Sequence, residues 1–182
     1  MSYCPAMKTL TLALIAILTA STLASAIPIS HAQNQPLRFV AVLSGANEVP
    51  ARDTLARGLA VIQVSPDGTQ LTFRLIAANI NNVIMAHIHI APEGTNGPVV
   101  VFFYGPVPPG GGRFDGVLSV GTRTASYLVG PLQGHPFSDL VTAISSGNAY
   151  VNVHTDDGVP PANTGAGDFP GGEIRGQLMP AN

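Results

Sequence analysis

Apolar and polar residues alternate along much of this chain, the two-residue period of strands whose two faces meet different surroundings. Between residues 37 and 44, Leu37, Phe39, Ala41 and Leu43 share one face and Arg38, Val40, Val42 and Ser44 the other. Turn-forming residues from Gly45 to Pro50 end that strand. Residues 58–64 and 71–76 flank Ser65-Pro66-Asp67-Gly68, where proline presets the second turn position and glycine tolerates positive φ; a hairpin is predicted. Val99–Tyr104 is almost continuously apolar, as a deeply buried strand is. Residues 105–112 hold too much proline and glycine for anything but a loop, and 116–120 and 124–129 offer one or two further strands.

One stretch departs from the period of two. In residues 138–147, Ser138 is placed to cap exposed amides, Leu140, Val141 and Ile144 fall on one helical face, and Gly147 can close the end. A short helix is predicted there, leading into a strand over 148–155. A long proline- and glycine-rich loop, 156–172, begins beside His154 and ends beside Glu173, where a last strand runs from Glu173 to Met179. Loops of that length without structure of their own are commonly functional or disordered. Short strands punctuated by turns, with one helix in a connection, predict an all-β sandwich or closed barrel, with a jelly roll as the alternative.

The pattern also isolates the candidate chemistry. In residues 84–90, Ile84, Ala86, Ile88 and Ile90 suit a core, which sends His87 and His89 to the outer face of the sheet, where folding does not require them. The 149–154 stretch repeats the arrangement: Ala149, Val151 and Val153 face the core, and Tyr150, Asn152 and His154 the polar side. If the two strands are neighbours, three imidazoles meet on one surface, leaving an open coordination position suited to zinc or copper. The competing reading is structural: rings covered by glycine- and proline-rich loops hydrogen-bond loop carbonyls and hold the cover in place. His135 is a loop residue that offers a fourth nitrogen or none. Asp156, Asp157, Asp168 and Glu173 are candidate partners to orient a ring, and Glu173 or Glu48 is a candidate ion-pair partner for Arg175, in a structural role. Asp156 and Asp157 lack the regular alternation of oxygen ligands that calcium loops use. No nucleophile elbow, phosphate loop or dinucleotide fingerprint occurs.

Composition narrows the functional classes. Lys8, the only lysine, precedes an apolar run from Thr9 to Leu23, followed by small-residue cleavage signals ending at Ala26 and at Ala32. The run is short for a bilayer span, so residues 1–32 read as a secretory signal peptide, with cleavage after Ala32 preferred because Pro28 ends the apolar helix just before it. The remaining 33–182 segment has the size of one domain. It has no cysteine, because Cys4 goes with the signal, and it carries seven arginines against ten acids, a net charge of −3. Neither nucleic acid nor an anionic membrane surface is expected as a partner.

Four pieces in order carry a resemblance: 43–50 (LSGANEVP), 86–99 (AHIHIAPEGTNGPV), 149–155 (AYVNVHT) and 172–178 (GEIRGQL). Together they span about residues 38–179, and the chain resembles the CHRD domain, named for chordin and found also as a single domain in microbial exported proteins. The resemblance implies an immunoglobulin-like Greek-key β fold with a faint likeness to copper/zinc superoxide dismutases, whose barrel strand also bears a His-x-His pair. It does not carry dismutase activity with it. A two-metal site needs more imidazoles than His87, His89, His135 and His154, with His31 added only if cleavage falls earlier, and the disulfide of those enzymes is impossible here. The expectation is an exported, non-enzymatic binding or envelope-associated module with an unidentified extracellular partner. The alternative is a mononuclear zinc or copper protein using His87, His89 and His154, supported by Asn152, Glu173 and Arg175, with redox or hydrolytic chemistry conceivable at the ion.

Overall fold

Among the described residues nine strands follow the alternation closely, β1 Arg38–Ser44, β2 Arg57–Val64, β3 Gln70–Asn81, β4 Val83–His89, β5 Val99–Tyr104, β6 Arg113–Thr124, β7 Tyr150–Thr155, β8 Ile174–Gln177 and β9 Met179–Pro180, with one α-helix, α1 Phe137–Ser145. The computed structural model describes residues 1–2 and 37–181; residues 3–32 of the segment read as a signal peptide lie outside them. No helix among the described residues is long and apolar enough to cross a membrane.

The strands form one antiparallel sheet in the order β5-β4-β7-β8-β1-β2-β3-β6, with β9 beside β1. Its two ends meet through side chains rather than a ladder. Ser119 Oγ on β6 donates to the Phe103 carbonyl of β5 at 2.7 Å, and Arg123 Nε donates to the Phe102 carbonyl at 2.7 Å. Phe73 and Phe103 stack at 3.9 Å across this seam, with the Arg123 guanidinium 4.9 Å from the Phe73 ring centre. Read around the ring from β1, the order is β1-β2-β3-β6-β5-β4-β7-β8, so β3 and β4, joined by Asn82 alone, are separated in the ring by β6 and β5. The expected all-β architecture is thus a nearly closed barrel with one short helix.

Local chemistry accounts for where the sequence reading and the elements differ. The β2–β3 turn is as expected: the Gly68 amide donates to the Ser65 carbonyl at 2.9 Å and Gly68 takes φ +69°. β3 runs five residues beyond the predicted end at Ile76 because a bulge between Ala77 and Ile80 absorbs Asn79, at φ +56°, whose amide donates to Asp115 Oδ1 at 2.6 Å. Of the one or two strands predicted over 116–120 and 124–129, one forms: β6, which starts earlier, at Arg113, and is followed by a 3-10 turn at Ala125–Tyr127. Ser138 does not cap α1; Pro136 occupies that position without a side-chain hydrogen bond, while Phe137, Leu140 and Ile144 are buried against the barrel. Gly147, at φ +73°, ends the helix with its amide on the Ile144 carbonyl.

The inward face of every central strand is apolar. Leu43, Ile62, Leu75, Ile88, Val151 and Ile174 are sealed from solvent. β8 lies close to β1 because Gly176 has no side chain: a Cβ there would sit 2.5 Å from the Val42 carbonyl oxygen, a backbone atom that cannot swing away. Gly176→Ala is therefore expected to destabilise the barrel by about 1–3 kcal/mol, read as a lower urea midpoint at unchanged slope.

Candidate metal centre

β4 and β7 are neighbours, which is the condition the sequence left open. Their register sets Met85 opposite His154, His87 opposite Asn152 and His89 opposite Tyr150. β8 continues the polar face, with Arg175 opposite Asn152 and Gln177 opposite Tyr150. Because Ala86, Ile88, Val151 and Val153 occupy the barrel core, this face points away from it. It is nevertheless buried: His87 is 2% exposed, His89 and His154 each 7%.

The cover consists of loops pinned by this same face. Arg175 donates to the Thr95 carbonyl at 2.8 Å and to Asn96 Oδ1 at 3.2 Å, and its guanidinium lies 3.4 Å over the Tyr150 ring centre. The Tyr150 hydroxyl accepts the Gly97 amide at 3.1 Å. On the other side, Glu173 is fully buried and fully used: Oε1 accepts from Thr54 Oγ1 at 2.6 Å, and Oε2 from Thr155 Oγ1 at 2.6 Å and the Gly167 amide at 2.9 Å. Among the described residues Arg175 forms no ion pair with Glu173 or Glu48, so the pairs considered from the sequence are replaced by loop carbonyls and hydroxyls.

The three imidazoles converge. One ring nitrogen from each of His87, His89 and His154 lies within 4.8 Å of the other two. His87 meets His154 edge-on with ring centres 4.7 Å apart, and His89 stacks on Tyr150, also at 4.7 Å. His89 Nδ1 donates to the Gly97 carbonyl at 2.9 Å and His154 Nδ1 to the Pro170 carbonyl at 2.8 Å. A carbonyl can only accept, so each of these Nδ1 atoms carries the proton and the neutral ring presents a bare lone pair at Nε2. Both Nε2 atoms, and both nitrogens of His87, are buried without a hydrogen-bond partner. For His89 and His154 the two readings are thereby divided between two nitrogens: Nδ1 ties the cover, and Nε2 is left bare inside the protein.

Other candidates fall elsewhere. His135 is exposed and pairs with Asp139 at 2.9 Å. Asp156, Asp157 and Asp168 do not orient a ring, since backbone carbonyls take that role. Asn152 donates to Glu48 Oε2 at 3.4 Å, and Gly172, at φ +122°, lies so close that a Cβ would be 2.7 Å from the Asn152 amide and 2.9 Å from Glu48 Oε1. Glu48, considered from the sequence only as an ion-pair partner, is a buried carboxyl of this region, and Oε1 has no partner. Its one sequence signal is its place in the 43–50 motif, since charge and period do not single it out.

Burial sets the electrostatics. It pushes His87 down to about 3, assisted by His154 and His89, and His154 down to about 4 against the opposing pull of the Pro170 carbonyl; His89 is lowered for the same reason. Burial raises Glu48 to about 7, against the opposing charges of Arg175 and Arg52. Histidines of the unfolded chain titrate near 6.5, so below that pH unfolding takes up protons, and the stability present above 6.5 is lost as pH falls toward 4. Glu48 opposes this, releasing a proton on unfolding between about 4.5 and 7, but three rings outweigh one carboxyl. In chelator, urea unfolding at pH 5 is expected to give a stability about 3 kcal/mol below that at pH 7.

The comparisons with known proteins agree with the fold and the motif order. The family profile described as CHRD domain matches residues 39–178, most of the chain and all of the strands that build the imidazole face. Nothing among the curated proteins matches. The profile match extends from β1 to the end of β8 and includes the four motifs, and on that basis the chain belongs to the CHRD domain family, an assignment that supports a binding-type module in general.

Proposed function

We propose that this CHRD domain is a metal-binding module that holds one zinc or copper ion through His87, His89 and His154. The observation that carries this is the convergence of buried imidazole nitrogens that have no donor to meet them. Three lone pairs brought together in a low-dielectric site repel, and a Lewis acid turns that repulsion into three bonds. An ion 2.0–2.1 Å from each nitrogen needs donors roughly 3.3 Å apart, and one nitrogen of each ring lies within 4.8 Å of the other two. Carbonyls fixing the far nitrogen are the usual means by which proteins orient metal-ligating histidines. Burial of all three rings favours retention of the ion over turnover at an open position, so the reading is a binding protein rather than a hydrolase or oxidoreductase.

The apolar run ahead of Ala32 supports export, and with it an extracellular or envelope setting; N-terminal sequencing of the exported protein, expected to begin at Gln33, tests this. A protein-binding surface is the second reading, favoured by Val42 and Val120, which are 66% and 63% exposed on β1 and β6. Metal content of protein purified without chelator decides between them. One equivalent of zinc or copper is expected in the wild type and none in a His87→Ala/His154→Ala variant whose circular dichroism remains β. A wild type that stays metal-free after incubation with either ion would contradict the metal reading. Gly97→Ala tests the orienting shell, because its Cβ would collide with the Ile90 carbonyl oxygen and displace the carbonyl that His89 uses. Metal affinity is expected to fall about 10–100-fold with the three ligands intact.

A further inference from the structure

The 156–172 loop carries a second group of potential ligands, separate from the imidazoles and of opposite chemical character. One carboxylate oxygen from each of Asp156, Asp157 and Asp168 lies within 4.8 Å of the other two. The two adjacent aspartates open the loop and Asp168 stands near its close, so the fold supplies the third oxygen that the linear pattern lacked. Asp168 is 3% exposed. Its Oδ2 accepts the Thr164 amide and hydroxyl, both at 2.8 Å, while Oδ1 is enclosed with no donor at all. Asp156 and Asp157 spend one oxygen each on local turns, to the Gly158 amide at 2.7 Å and the Val159 amide at 2.8 Å. Among the described residues none of the three forms an ion pair with an arginine. Three carboxylates this close repel one another, and a buried acceptor without a donor adds its desolvation cost.

We propose that Asp156, Asp157 and Asp168 form a Ca²⁺ site that ties the two ends of this loop together. The ligands are oxygens only, which selects a hard cation and excludes the softer ions suited to the imidazole centre. Calcium fits better than magnesium, because an irregular loop with two partly exposed carboxylates meets calcium's flexible coordination more easily than magnesium's strict octahedron. The loop also carries Pro170, whose carbonyl orients His154, so the bound ion steadies part of the cover over the imidazoles. The calcium site does not depend on the metal reading of those rings.

Calorimetric titration of the full-length, chelator-treated protein with CaCl₂ tests the proposal. One equivalent is expected, with Kd about 10⁻⁴–10⁻³ M as in weak calcium modules, and at least about 10-fold weaker response to MgCl₂. Calcium is also expected to raise the thermal midpoint of the wild type. Asp157→Asn and Asp156→Asn/Asp168→Asn are each expected to weaken calcium binding at least 10-fold; the first leaves the Thr164 contacts untouched and guards against simple loop misfolding. No calcium heat up to about 10 mM, an equal response to magnesium, or unchanged calcium affinity in the Asp157→Asn variant would overturn the assignment.

Discussion

Two hydrogen bonds, from His89 Nδ1 to the Gly97 carbonyl and from His154 Nδ1 to the Pro170 carbonyl, couple the cover of this molecule to its chemistry. Each donates the one ring proton to a backbone oxygen, fixes the tautomer, and leaves the opposite nitrogen bare inside the protein. The rest of the region follows from satisfying that geometry. Loops must lie close enough to present carbonyls, so Arg175, Tyr150 and Glu173 hold them there, and glycine is required where backbone passes side chains at van der Waals distance, as Gly172 does beside Asn152.

Burying three imidazoles on the outer face of a barrel is costly in water-free surroundings unless each nitrogen finds a partner. Two of the Nδ1 atoms find carbonyls; the other four nitrogens are buried without a hydrogen-bond partner. This is an unusual investment for a face that hydrophobic burial has no need to fill. Apolar side chains of similar volume would seal the same loops without proton-linked loss of stability below the normal histidine range. Retaining rings there makes physical sense when their lone pairs serve a ligand.

Much of the fold was legible because period-two alternation is a direct consequence of strand geometry. β1, β4, β5 and β7 lie within two residues of where Leu37, Ile84, Val99 and Asn148 suggested. The errors came where tertiary contacts overrode local signals: the β3 bulge at Asn79 depends on Asp115, thirty-six residues away, and α1 starts at Phe137, with Pro136 rather than Ser138 at its cap, because Phe137 is drawn into the core. The imidazole face was legible as a set of same-face residues, but its burial was not. Period tells which residues share a side of a sheet, and cannot tell that loops from 91–97 and 156–173 fold over that side. For the same reason Glu48 and Asp168 were undervalued: their significance arises from what surrounds them in space.

The central claim is that His89 and His154 present unprotonated Nε2 atoms as metal donors, and long-range proton–nitrogen correlation spectra of ¹⁵N-histidine-labelled protein test it most directly. In the metal-free protein at pH 7, Nδ1 of both rings is expected to be protonated and Nε2 bare, and one equivalent of zinc is expected to shift the Nε2 signals while leaving Nδ1 protonated. Protonated Nε2 atoms before zinc, or Nε2 signals that do not move when zinc is added, would contradict it.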